Sequence, residues 1–217
     1  MFERSEPRIT PSRSIEVVLF DLGGVLIELG GSGELGRLVG EPSEDVLWRR
    51  WLSCPWVRRF ERGHCDPEEF SVGMVESWDL DGSPEAFLKA FTAWPKGLYP
   101  GSRDLVASLD GRVRVACLSN TNRLHAGLEW SGGGITEIFE TCFLSHETGL
   151  VKPDRDAFDH AVAGLGCGSD SVLFLDDNII NVEAARATRR KRSGARGSSR
   201  GPHVLRAHHK LKRTLGF

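Results

Sequence analysis

The chemistry in this 217-residue chain is carried by a few polar side chains placed where apolar runs stop. Val17-Val18-Leu19-Phe20 leads into Asp21, and Val172-Leu173-Phe174-Leu175 leads into the adjacent carboxylates Asp176 and Asp177. The run Val113–Leu118 leads into Ser119-Asn120-Thr121-Asn122, and Lys152 stands before Pro153 and Asp154. Two like charges at a buried strand end are costly unless a cation or hydrogen bonds compensate them. Opposite Asp21, such a pair suits a hard divalent cation, which takes oxygen ligands and, for Mg²⁺, keeps waters and a substrate phosphate. Ser, Asn and Thr open helices, and a helix N-terminus is also an anion site, so Ser119–Asn122 fits either purpose. Lys152 lies at the head of a helix, where a lysine either meets solvent or holds an anion.

The elements around these residues follow from the pattern. Apolar runs without alternation suit strands buried on both faces, the state of central parallel strands. Open α/β sheets bind ligands at the carboxyl ends of such strands, and the pair Gly23-Gly24 lets the backbone turn sharply there. Strands are predicted at Glu16–Asp21, Val113–Leu118, Cys142–Ser145 and Val172–Leu175, with helices at Gly101–Leu109, Arg155–Ala163 and Ile180–Ala187. The fold class is α/β, with a Rossmann-like parallel sheet.

Between the first two predicted strands lie about 90 residues, where a right-handed crossover needs only about 30, so the surplus is an insert. Residues 42–95 read as helical throughout. Asp66-Pro67-Glu68-Glu69 and Ser83-Pro84-Glu85 are N-cap and proline starts, and Trp48, Trp51, Trp56 and Phe60 have the spacing of a packed bundle. The stretch Gly30–Gly36 contains a formal G-x-G-x-x-G. A dinucleotide site needs those glycines directly after the strand, but here they come about ten residues late and are followed by Gly40-Glu41-Pro42. The stretch therefore reads as a flexible loop leading into the insert.

Composition narrows the class. Apolar content of 40% and charged content of 27% are ordinary for a globular protein. No apolar run approaches the roughly 18 residues of a membrane helix, and Met1–Ile15 lacks a signal-peptide apolar segment. Five cysteines (Cys54, Cys65, Cys117, Cys142 and Cys167) with no CxxC pair read as reduced thiols of a cytoplasmic protein. The net charge of −2 hides an asymmetry, because residues 186–217 hold 11 Lys+Arg and no acid. Such a run is a solvated segment or an anion-binding one.

In order and spacing, Asp21, Ser119-Asn120, Lys152 and Asp176-Asp177 resemble the four motifs of the haloacid dehalogenase-like (HAD) superfamily over about residues 15–187. Leu118-Ser119-Asn120-Thr121-Asn122-Arg123-Leu124-His125 and Leu175-Asp176-Asp177-Asn178 are particularly similar to the bacterial α-D-glucose-1-phosphate phosphatase-like members. The resemblance implies Asp21 as a nucleophile that forms an aspartyl-phosphate. It implies Ser119 and Asn120 as phosphoryl-binding groups and Lys152 as a charge-neutralising catalytic group. Mg²⁺ would be held by Asp21, the carbonyl of Gly23 and Asp177, with Asp176 in support. Most phosphatases of the superfamily carry a second aspartate two positions after the nucleophile, as general acid and base; here that position is Gly23. General acid–base catalysis is worth about 10²–10⁴-fold, so a slow enzyme is expected.

The resemblance also implies the domain plan: a leader 1–14, a core of 15–30 plus 96–190, and a helical cap, 31–95. Residues 191–217 form a basic tail, poorly ordered or atypical, in which only Val204–Leu215 suits a helix. The expected function is Mg²⁺-dependent hydrolysis of a small phosphorylated metabolite, such as a sugar phosphate. The alternatives are metal-independent dehalogenation, a catalytically impaired ligand binder, and nucleic-acid binding through the tail. No membrane partner is expected.

Overall fold

The computed structural model describes residues 15–41, 43–109, 111–128, 134–192 and 205–206. The expected leader and all but residues 191, 192, 205 and 206 of the tail lie outside them. β1 (Val17–Phe20) is buried at all four positions and sits in the middle of a parallel sheet. Its neighbours are β4 (Arg114–Ser119) and β6 (Val172–Asp176), with β5 (Thr141–Leu144) outside β4 and β7 (Leu205–Arg206) outside β6. Phe20 is level with Cys117 on one side and Leu175 on the other. Successive side chains point to opposite faces, so β1 feeds two cores. Val18 and Phe20 pack with Cys117, Leu173 and Leu175 beneath α6 (Ser102–Ala107). Val17 and Leu19 pack with Leu118 and Phe174 beneath α9 (Arg155–Leu165) and α10 (Ile179–Arg192), the short helices α7 (Arg123–Ala126) and α8 (Ser145–Thr148) following β4 and β5. A fully buried side chain of this size contributes about 1.5–3 kcal/mol, which makes this strand the anchor of the fold.

The long excursion between β1 and β4 holds a second apolar core. Its helices are α1 (Gly31–Leu38), α2 (Glu44–Ser53), α3 (Pro55–Glu61), α4 (Pro67–Trp78) and α5 (Pro84–Thr92). They bury Leu35, Leu47, Trp51, Phe60, Phe70, Met74, Phe87 and Phe91 against one another. The Phe60 and Phe70 rings stack at 4.3 Å. Asp66 and Glu69 close a capping box at the head of α4, and the Ser83 hydroxyl accepts from the Ala86 N–H at the head of α5.

The structure corrects several expectations. Gly30–Gly36 is not a loop, since residues 31–38 form α1. Each glycine in a helix costs roughly 0.5–1 kcal/mol relative to alanine, but Leu35 and Val39, buried to 0% and 1% exposure, outweigh that. The region 42–95 holds the four helices α2 to α5, and the starts expected at Asp66-Pro67 and Ser83-Pro84 open α4 and α5. The insert also leaves and returns through two short strands that the sequence reading did not mark. They are β2 (Ile27–Leu29) and β3 (Pro95–Leu98), paired antiparallel with Ile27 opposite Leu98. At the other end, Leu205 and Arg206 belong to a strand beside Leu175 and Asp176, where a basic helix over Val204–Leu215 was expected. A strand end there completes backbone hydrogen bonds on the open side of β6. No helix among the described residues is long and apolar enough to cross a membrane.

Candidate active site

Parallel register brings the carboxyl ends of β1, β4 and β6 to one edge of the sheet, and the polar residues singled out in the sequence meet there. The Asp21 N–H donates to the Leu175 carbonyl at 2.8 Å, which extends the β1–β6 ladder one residue past the strand. Lys152, only 1% exposed, places its Nζ 2.8 Å from Asp21 Oδ1 and 2.7 Å from Asp176 Oδ2. Asp176 has no exposed surface, and its oxygens also accept from the Asn178 N–H at 2.8 Å and from Asn181 Nδ2 at 3.0 and 3.2 Å. Asn181, one turn into α10, was missed in the sequence because an amide there looks like any helix residue.

Asp177 faces the turn after β1. Gly24 has φ of 74°, and a Cβ on it would meet Asp177 Oδ2 at 2.1 Å, so a side chain at this position would displace the carboxylate. Asp21, Asp176 and Asp177 each offer an oxygen within 4.8 Å of the others. Three carboxylates and the Lys152 ammonium thus converge in a largely buried place. Burial, opposed by Lys152 and reinforced by Asp176 and Asp177, pushes the Asp21 carboxyl up to about 7. Burial alone would lower Lys152, but Asp176 and Asp21 hold its ammonium above the ordinary range. An oxygen-rich site of three convergent carboxylates fits a hard divalent cation.

Ser119 ends β4, is buried, and lines a cavity together with Asp21. The Asn120 side chain acts as a clasp: its Nδ2 donates to the Lys152 carbonyl at 2.9 Å, and its Oδ1 accepts from the Lys152 N–H at 2.8 Å. That amide fixes the loop from which Lys152 reaches inward. Asp154 occupies the N-cap position of α9, but its carboxylate does not cap the helix. It turns instead to the insert and accepts from Arg58 and, at 2.8 Å, from Arg62. Two guanidinium partners outweigh a single backbone N–H.

The insert closes over this edge. Gly63, just past α3, lies so near the His146 carbonyl that a Cβ would sit 2.6 Å from it. Between insert and core is a cavity of about 140 Å³, lined by Asp21, Lys152 and Asp177 below and by Trp48, Trp51 and Glu61 above. Two further polar residues at this boundary were given no role in the sequence reading. Glu61 ends α3 and accepts from Asn120 Nδ2 at 3.1 Å. Burial pushes its carboxyl up to about 7, against the pull of Lys152, Trp51, Arg58 and Asn120.

His125 is the second. Its Nε2 lies 2.9 Å from the Phe91 carbonyl and its Nδ1 lies 3.2 Å from Asn122 Nδ2. These partners require a neutral ring with the proton on Nε2. Burial, opposed by the bond to Phe91, lowers its pKa to about 4. A folded-state pKa below the unfolded value contributes stability that is present above the unfolded pKa and lost as pH falls toward the folded one. The melting-temperature advantage of wild type over His125→Gln is therefore expected to shrink between pH 7 and pH 5. A difference that stays constant over that range would show that His125 does not couple the insert to the core in this way.

Known proteins are similar to this chain in sequence and in fold. A family model described as haloacid dehalogenase-like hydrolase matches residues 56–188, more than half of the chain. The sesquiterpene phosphatase astK of Aspergillus oryzae is 24% identical over 185 residues, covering 80% of this chain and 86% of that protein. The D-ribitol-5-phosphate phosphatase of Bacteroides thetaiotaomicron is 21% identical over 180 residues, covering 79% and 87%. A HAD family enzyme from the same bacterium, solved with magnesium and inorganic phosphate, superimposes with a TM-score of 0.62 at 24% identity, over 81% of this chain and 91% of that one. On the strength of the family match and the shared fold, this chain belongs to the haloacid dehalogenase-like hydrolases.

Proposed function

We propose that the protein is a divalent-cation-dependent phosphomonoester hydrolase acting on a small phosphorylated metabolite, with Asp21 as the nucleophile. The observation that carries this reading is the set of three carboxylates, two of them buried, with one buried lysine at the sheet edge. Relatives named as phosphatases and a solved relative with magnesium and phosphate support it. Phosphoryl transfer is mostly positioning plus neutralisation of oxygen charge.

In this reading Lys152 favours the ionised form of Asp21, against burial, and draws its carboxylate into line. Ser119 donates from its hydroxyl to a phosphoryl oxygen. Asn120 contributes its backbone N–H, because its side chain is tied to Lys152. Asp21, Asp177 and the Gly23 carbonyl would hold Mg²⁺, with Asp176 in support, and the ion when bound would offset charge on the phosphoryl oxygens. The helical insert, 31–95, serves as the cap that excludes water and shapes the leaving-group pocket.

Phosphate release from a panel of small monoesters is expected with Mg²⁺ and lost with a chelator. A second readout is independent of turnover. The raised Asp21 pKa means that its charge costs the metal-free protein stability as pH rises through about 7. Mg²⁺ should therefore raise the melting temperature more at pH 8 than at pH 5.5. No release from a folded protein, together with no thermal shift, would overturn the reading.

A further inference from the structure

Departure of an alkoxide from phosphorus needs a proton, and attack by water on a phosphorylated carboxylate needs a base. Among the described residues, the titratable groups lining the cavity are Asp21, Glu61, His125, Lys152 and Asp177. In the reading proposed above, Asp21 is the nucleophile and Asp177 a cation ligand. Lys152 is fixed as an ammonium between two carboxylates. Both His125 nitrogens are already engaged, by the Phe91 carbonyl and by Asn122. Position 23 supplies no side chain, and the space a Cβ would enter is bounded by Leu29 Cδ1 at 3.2 Å. That leaves Glu61.

We propose that Glu61, contributed by the helical insert, is the general acid and base of the reaction. It stands on the cavity wall opposite the sheet edge, partly exposed to the cavity, with Oε2 held 3.1 Å from Asn120 Nδ2 beside Ser119. The helix that carries it is fastened to the core by Arg58 and Arg62 on Asp154. In the first step Asp21 attacks phosphorus, the bond to the leaving oxygen breaks, and that oxygen takes the proton of the Glu61 carboxyl. In the second step the Glu61 carboxylate takes a proton from water as its oxygen attacks phosphorus. The bond to Asp21 breaks, and phosphate leaves with both groups restored. The charged groups facing Glu61 are Lys152 from the core and Arg58 from its own helix, and burial outweighs them, so its protonated form persists to about pH 7.

The inference rests on the phosphatase reading, and the test separates the two. Glu61→Gln keeps an acceptor for Asn120 and cannot exchange a proton. With an alkyl monoester such as glycerol phosphate, kcat is expected to fall by about 10²–10⁴-fold, and the decline of rate above pH 7 should disappear. With p-nitrophenyl phosphate, whose phenolate leaves without a proton, the variant should release about one equivalent rapidly and then slow, because the base for the second step is gone. If the glutamine variant does not fold, Glu61→Ala supplied with formate should recover turnover of the alkyl ester. Wild-type turnover with Glu61→Gln changed only in KM, or slowed equally in the first turnover of both esters, would overturn this inference alone. No turnover by folded wild type would overturn both readings.

Discussion

Lys152→Met is expected to lower the melting temperature by roughly 6–20 °C in the absence of divalent cation, and to abolish turnover. The side chain is 1% exposed and reaches both Asp21 and Asp176 within 2.8 Å. Methionine matches its length and apolar stem, so the change removes charge more than packing. Breaking a buried pair by removing one partner costs about 3–5 kcal/mol, and a domain of this size loses about 2–4 °C per kcal/mol. The penalty comes from the carboxylates left behind, so adding Asp21→Asn to Lys152→Met should restore part of the loss. Thermal unfolding of the two single variants and the double variant measures that coupling. A drop of less than about 2 °C for Lys152→Met would mean that the carboxylate charges are met elsewhere in the fold.

Asp21→Asn separates activity from stability. Without a nucleophile, phosphate release should fall by at least about 10⁴-fold in kcat. The melting temperature at pH 8 should stay level or rise, because the lost group is one whose charged form burial disfavours. Retention of activity would remove Asp21 from the role proposed for it. A large loss of stability would instead identify the residue as a structural partner of Lys152.

The parts of this molecule legible in sequence were those with strong local signals. Val172–Asp176 is a strand because five consecutive residues are buried, and a run of that kind has few other outcomes. The polar residues ending three such runs converge because parallel register leaves them no alternative, and the capping box at Asp66 followed from residue types alone. The misses were of another kind. β2 and β3 are three and four residues long, and Pro95 and Gly97 weaken any strand signal, so only their mutual pairing defines them. Helix α1 forms because tertiary packing overrides the glycines, which no local rule reports. Asp154 carries every sign of an N-cap, and what draws its carboxylate away lies about ninety residues earlier in the chain. Glu61 sits among Arg58, Arg59 and Arg62, and nothing in its spacing separates a cavity carboxylate from a solvated helix face. The available signal was indirect: a glycine where an acid was expected invites a search for a carboxyl elsewhere.

The central place of β1 has a consequence for how the chain comes to be built. Val17 lies beside Arg114 and Val172, so this strand has its partners roughly 100 and 155 residues later. At about 5–20 residues per second, a ribosome leaves it without a neighbour for roughly 5–20 s. The helices of the insert, whose contacts are local, assemble during that interval, while Val-Val-Leu-Phe remains an exposed, aggregation-prone segment. Glu16 and Asp21 bracket that segment with charge, the usual protection of a hydrophobic strand that must wait. Before it ever meets a substrate, the Asp21 carboxylate already serves the nascent chain as a guard against association.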